Sequence, residues 1–227
     1  MKSEFKSIFC VPLGIYRFNE DEDIPKLFSE LTNQIYNSEN INDYENIAKR
    51  ENVTTDYDAF QIKIKTGEQD PSFMWDNDWW AKGNAMKLLG GLLEILQIFK
   101  SDTETNLWIT KAESGRTFVK DFWMLTLKEN QNNIIHVHPG STFSGIYYQS
   151  VPNSTKKSLN NNEGCLVLMD STHKQMFSES YGAAQTFIIR PHPGLMVIFP
   201  SWLSHYVIPF KEPGERISYA FNIIDET

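Results

Sequence analysis

From residue 107 onward the chain is a succession of short runs rich in Val, Ile, Phe and Tyr, each cut off by Gly, Pro, Asn or Ser. The runs are Phe118 to Leu127, Phe143 to Val151, Gly164 to Met169, Gln185 to Ile189, Leu195 to Phe199, Tyr206 to Ile208 and Ile217 to Ile224. β-Branched and aromatic residues bounded by turn formers read as strands. Short strands with no helical pattern between them pair antiparallel, so residues 107–227 are expected to form a sandwich or barrel.

Residues 1–106 read differently. Ile8 to Phe18, broken by Pro12 and Gly14, suggests two short strand pieces. Ile24, Leu27, Phe28, Leu31 and Ile35 recur at helical spacing, with Asp23 as a cap and Pro25 tolerated in the first turn. A second short helix is expected over 41–49. Residues 51–83 are polar, carry Pro71 and an aromatic knot of Phe73, Trp75, Trp79 and Trp80, and read as irregular. Ala85, Leu88, Leu89, Leu92, Leu93, Leu96 and Phe99 form one apolar face of a helix over 84–100, stopped at Ser101 and Asp102. Gly90 and Gly91 inside it are costly for a helix and imply close helix-to-sheet packing. The fold class is therefore mainly β with N-terminal helices (α+β), the helices covering one side. At 227 residues the chain stays below the roughly 250 at which single cores split, so 1–106 and 107–227 belong to one compact domain. Asn153 to Glu163 is a hydrophilic loop between strands.

A formal net charge of -8 has the wrong sign for a partner made of phosphates or anionic lipid, so nucleic acid is not expected. The most apolar stretch, Leu88 to Phe99, carries Glu94 and Gln97 and is too short for a bilayer of about 30 Å, so no membrane is expected either. Cys10 and Cys165 lack CxxC spacing and the N-terminal residues lack a long apolar run, which fits the reducing cytoplasm.

All five histidines lie in the β-rich half. His136 and His138 form an H-x-H pair before Pro139 and Gly140; residues two apart in an extended segment face the same side, so one metal could use both. His205, after Phe199-Pro200-Ser201-Trp202-Leu203-Ser204, is a candidate third ligand. Imidazole suits Fe, Cu, Ni or Zn, and three such ligands leave positions open on an octahedral ion. The plainer account is three hydrogen-bonded histidines with no metal. Arg216 and Ser218 share one face of the last strand, and a guanidinium fork beside a hydroxyl suits a carboxylate. The competing account of Arg216 is a surface ion pair with Glu212 or Glu215. His192, between two prolines, and His173, after a strand, read as structural and solvated. The tryptophan knot reads as packing rather than as a ligand platform.

The runs His136-Val-His138-Pro-Gly-Ser-Thr-Phe-Ser144-Gly145-Ile-Tyr147-Tyr148, Phe199 to His205 and Glu215-Arg216-Ile-Ser218-Tyr-Ala-Phe-Asn222 resemble the signature of a bacterial and phage family of 2-oxoglutarate- and Fe(II)-dependent oxygenases. The likeness covers about residues 107–225. It implies a double-stranded β-helix, the jelly roll also found in cupins, with iron at its open end. His136 or His138 would be the proximal ligand and His205 the distal one. Arg216 would bind the far carboxylate of 2-oxoglutarate with help from Ser218, and Tyr147 or Tyr148, whichever faces inward, would add a phenol. Asn222 and Trp202 would line the pocket.

Most of the wider superfamily has H-x-D or H-x-E, whereas this chain has H-x-H. Either His138 replaces the carboxylate, or another residue such as Asp170 supplies it, or only two histidines bind. The implied reaction oxidises 2-oxoglutarate to succinate and carbon dioxide while a substrate C–H bond becomes an alcohol. Expected partners are 2-oxoglutarate, dioxygen and a prime substrate the sequence does not name, with a homodimer left open. Two other classes remain: a cupin-like three-histidine metalloenzyme that takes no keto acid, and a non-catalytic jelly-roll binding protein.

Overall fold

The long C-terminal strand is apolar at alternate positions and mixed at the others, and that pattern places it in the middle of the molecule. A computed structural model describes residues 11–36, 60–64, 83–102, 116–152, 162–169 and 186–226. The described elements are β1 (Gly14–Arg17), α1 (Asp23–Tyr36), β2 (Phe60–Ile64), α2 (Asn84–Asp102), β3 (Thr117–Leu127), β4 (Asn133–His136), β5 (Phe143–Ser150), β6 (Leu166–Met169), β7 (Thr186–Ile189), β8 (Leu195–Pro200), β9 (Ser204–Val207) and β10 (Arg216–Asp225). They build a six-stranded sheet in the order β1-β8-β5-β10-β3-β2 and a four-stranded sheet in the order β4-β9-β6-β7. Neighbouring strands pair antiparallel.

The two sheets face each other and the helices cover the back of the larger one. On β10, Ile217, Tyr219, Phe221 and Ile223 point to the helices, where they pack with Phe28, Leu31 and Ile35 of α1 and Leu92, Leu96 and Phe99 of α2. Phe28 is fully buried and stacks on Tyr147 of β5 at 4.0 Å, a contact in which its burial contributes on the order of 2–3 kcal/mol. On the other face of the same sheet, Leu125, Tyr148, Val197 and Phe199 meet Leu166, Leu168 and Val207 from the smaller one. Lys100 near the end of α2 pairs with the buried carboxylate of Asp225 at 2.7 Å, which also accepts from Thr117 at 2.7 Å, so the helix end is tied to the sheet.

This is the double-stranded β-helix expected from the sequence, with helices on one side. Three details differ. The stretch read as irregular contains β2, whose sequence Phe-Gln-Ile-Lys-Ile alternates with the period of two that strands use. β1 and β2 both precede residue 107 yet form the two edges of the larger sheet, so the N-terminal part adds strands as well as helices. Gly91 packs against the other helix rather than the sheet: a Cβ there would lie 2.5 Å from the terminal methyl of Ile24 of α1, which would have to shift, whereas one at Gly90 meets nothing within 4 Å among the described residues. The expected helix at 41–49, the tryptophan knot, Asp170, His173 and residues 153–161 lie outside the described residues. No described helix is long and apolar enough to cross a membrane.

Candidate active site

Strand pairing brings the distant histidines together. β9 lies between β4 and β6, and its register sets His205 opposite His136. His138 follows the end of β4, and its backbone N–H donates to the Ser201 carbonyl at 2.9 Å, just ahead of β9 in the chain. The ring centroids of His136 and His205 are 4.2 Å apart, and His138 lies 5.0 Å from each. One ring nitrogen from each of the three falls within 4.8 Å of the others.

The orientation of these rings is fixed from behind. His136 Nδ1 lies 2.6 Å from the Ile134 carbonyl and His205 Nδ1 lies 2.9 Å from that of Leu203. A carbonyl only accepts, so in both rings Nδ1 carries the proton and Nε2 keeps a free lone pair. The Nε2 atoms of His138 and His205 stand 3.2 Å apart. Imidazole nitrogens sit about 2.0–2.1 Å from a divalent ion such as zinc, so two at right angles on one ion would be separated by about 3 Å. Burial holds the imidazoles neutral. It pulls His205 down to about 3 and His138 to about 4, reinforced by the neighbouring histidines, and it also lowers His136 against the pull of the Ile134 carbonyl.

Arg216 lies across the cavity and is 1% exposed. Its Nη1 donates to Ser218 at 3.2 Å, and its guanidinium carbon sits 4.8 Å over the Tyr148 ring. Its Nε and Nη2 make no well-directed hydrogen bond among the described residues, where the Tyr148 hydroxyl is the polar group that interacts with the guanidinium, and the phenol's own proton finds no acceptor among those residues. Burial lowers the guanidinium and raises the Tyr148 phenol, and the interaction between the two groups offsets part of both shifts. Glu215 is engaged elsewhere, accepting from Tyr36 at 3.1 Å and lying 4.0 Å from Lys128, so the surface ion pair with that residue is not formed. A buried cation with two idle donors is costly unless an anion meets it.

The remaining candidates divide by strand parity. Tyr147 faces the helices against Phe28, so Tyr148 is the tyrosine on the Arg216 side. Asn222 faces the site, yet its amide is engaged: Oδ1 accepts from Ser144 at 2.8 Å and Nδ2 donates to Asp121 at 3.4 Å. Ser144 in turn lies 3.0 Å from the Ser201 hydroxyl. Trp202 is 49% exposed and does not line the cavity, which is walled by Trp123, Leu125, Asn133, Ile146, Leu166 and Val207. The free space is small, about 30 Å³, room for one or two waters. Trp123 and Asn133 were not legible as site residues, because nothing in the local sequence marks the inward faces of β3 and β4.

Residues 121–222 match the sequence model of a family described as "Putative 2OG-Fe(II) oxygenase". The match runs from Asp121 on β3 to Asn222 on β10 and so contains the three histidines, Arg216, Ser218 and both tyrosines. No curated protein matches the chain. Among solved structures, a Pseudomonas putida prolyl-4-hydroxylase aligns over 95% of this chain and 94% of its own, at 11% identity and a TM-score of 0.55. A Trichoplax adhaerens prolyl hydroxylase, solved in complex with a hypoxia inducible factor peptide, aligns over 95% and 84% at 14% identity and a TM-score of 0.55. These two establish the shared fold. A Burkholderia pseudomallei oxidoreductase of the 2OG-Fe(II) oxygenase family matches over 60% of this chain and 55% of its own, at 13% identity and a TM-score of 0.39, too loose to argue from.

The residues present fit the groups this family uses. Two imidazoles locked with Nε2 free and a third beside them suit a divalent iron, and the orphaned donors of Arg216 and Tyr148 suit a carboxylate. Nitrogen ligands alone do not select iron over zinc, copper or nickel; that choice comes from the family match.

Proposed function

We propose that the chain is an Fe(II)- and 2-oxoglutarate-dependent oxygenase of the hydroxylase type. The observation that carries the proposal is the buried Arg216, with two idle donors, facing three neutral imidazoles across one cavity. In this reading His136, His138 and His205 hold the metal. Arg216 and Ser218 grip the far carboxylate of 2-oxoglutarate, and the Tyr148 hydroxyl donates to the same group. Tyr147 and Asn222, engaged elsewhere, are given no contact with it.

Bound iron and 2-oxoglutarate supply the oxidation of a substrate C–H bond by dioxygen, the keto acid leaving as succinate and carbon dioxide. The chain's own residues fix the diacid end-on, orient the ligating nitrogens through the Ile134 and Leu203 carbonyls, and keep bulk water out with the apolar walls. The sparse cysteines, with Cys165 a buried free thiol, suit work in the cytoplasm.

Titration of Fe(II) and 2-oxoglutarate under nitrogen tests this. A weak visible charge-transfer band that needs both additions is expected. A second reading, a three-histidine metalloenzyme that takes no keto acid, draws on the cavity of about 30 Å³, which a five-carbon diacid enters only if side chains shift. Metal binding without that band would favour it.

A further inference from the structure

The proposed site leaves a charge unaccounted for. A divalent ion on three neutral imidazoles, together with the Arg216 guanidinium, brings three positive charges into a buried space. A bound diacid returns two. The third has no counterpart among the ligands, and an uncompensated buried charge is costly.

Asp121 is an acidic side chain tied by hydrogen bonds to the segment that carries His138. β3 pairs regularly with β10 until Asn222 meets Asp121, and then the register skips so that Ile223 meets Val119. Val119 and Phe122 both pack on the helix side, so the bulge turns two consecutive residues, Lys120 and Asp121, away from it. Both support the segment that carries His138. Lys120 Nζ donates to the Gly140 carbonyl at 3.0 Å, just past the histidine. Asp121 accepts from Asn222 at 3.4 Å, and Asn222 accepts from Ser144 at 2.8 Å. Ser144 shares a 3.0 Å hydrogen bond with the Ser201 hydroxyl, and the backbone carbonyl of Ser201 receives the backbone N–H of His138 at 2.9 Å, so the chain holds the main chain of His138 rather than its ring. His138 needs such support more than its companions: no carbonyl among the described residues receives its Nδ1, whereas His136 and His205 are each anchored by one.

We propose that Asp121 supplies the missing negative charge from outside the ligand set, acting on His138 as a positioning residue through the chain of Asn222, Ser144 and Ser201. It takes over at a distance the electrostatic role that a ligating carboxylate would have. The proposal rests on the metal-site reading given above and not on the identity of the prime substrate.

Cobalt(II) binding to the metal-free chain of 227 residues, followed under nitrogen by visible absorption and by competition with a chelator, tests it. Asp121→Asn should weaken Co(II) by about 10–100-fold and shift its visible bands, while Asp121→Glu retains affinity within a few-fold. Unchanged affinity and spectrum in Asp121→Asn overturn the proposal. Should that variant not fold, Asn222→Ala takes its place: a loss of several-fold supports the chain of contacts, and wild-type affinity overturns it. Wild-type protein that binds Co(II) but shows no response to 2-oxoglutarate defeats the oxygenase reading and leaves the role of Asp121 to stand or fall on the variants. Wild-type protein that binds no Co(II) overturns both.

Discussion

The Arg216 guanidinium lies 4.8 Å over the ring of Tyr148, so a buried cation rests on an aromatic face whose hydroxyl proton has no acceptor among the described residues. The contact supplies some of the stabilisation a cation loses on leaving water, on the order of 1–2 kcal/mol, and leaves the rest to a ligand. Arg216→Met should therefore abolish most 2-oxoglutarate affinity, by 100-fold or more in order of magnitude, and spare metal binding. The ligand-free variant should be more stable than wild type, by about 1–4 kcal/mol, since a buried unpaired charge is gone. Anaerobic titrations and denaturant unfolding check the two halves separately.

The adjacent tyrosines give a matched pair of controls. Tyr148→Phe removes an idle donor beside Arg216 and should weaken 2-oxoglutarate by about 2–10-fold, the worth of one net hydrogen bond. Tyr147→Phe keeps the ring stacked on Phe28 and should leave that affinity unchanged. Equal effects in the two variants would contradict the parity assignment.

Acid should destabilise the metal-free protein through its histidines. His138 at about 4 and His205 at about 3 titrate below the 6.5 of an unfolded chain, so the unfolded state binds more protons between those values. Their contribution to stability is present in full above about pH 6.5 and is lost as pH falls toward 4 and then 3. The unfolding free energy measured at pH 7 and pH 5 should drop, and His205→Gln should flatten the profile. A flat wild-type profile would contradict the burial of these rings.

Gly145 is set by steric room rather than by backbone freedom. A Cβ at this position would meet atoms of the Phe221 ring at 2.1, 2.3 and 2.9 Å, in the contact between β5 and β10 that carries both Ser144 and Asn222. Gly145→Ala should cost about 1–3 kcal/mol by overpacking. Adding Phe221→Leu should recover part of that loss in a double-mutant comparison of unfolding free energies, and strictly additive losses would argue against the clash.

Much of the fold is visible in the sequence because the central strands are covered on both faces. The runs 118–127, 143–151, 195–199 and 217–224 coincide nearly end to end with β3, β5, β8 and β10, since helices lie on one side of them and the second sheet on the other. β2 is harder to see. It is a five-residue edge strand with two polar positions, Gln61 and Lys63, set in a polar stretch. At the site, local parity puts His136 and His138 on one side, but that His205 faces His136 depends on the register of β4 and β9, which no local pattern encodes. Arg216 stands among glutamates in the sequence and suggests a surface pair; its burial follows from the second sheet closing over it. Asp121 is hidden because a bulge at Lys120 resets the alternation of β3.

β10 carries two messages in one strand: Arg216, Ser218 and Asn222 address the cavity, and Ile217, Tyr219, Phe221 and Ile223 address the helices. Losing or gaining one amino acid inside this strand would swap the two audiences, sending a guanidinium toward the aromatic packing and aromatics toward the ligands. Side chains here are thus open to exchange one at a time, whereas the spacing between them is not.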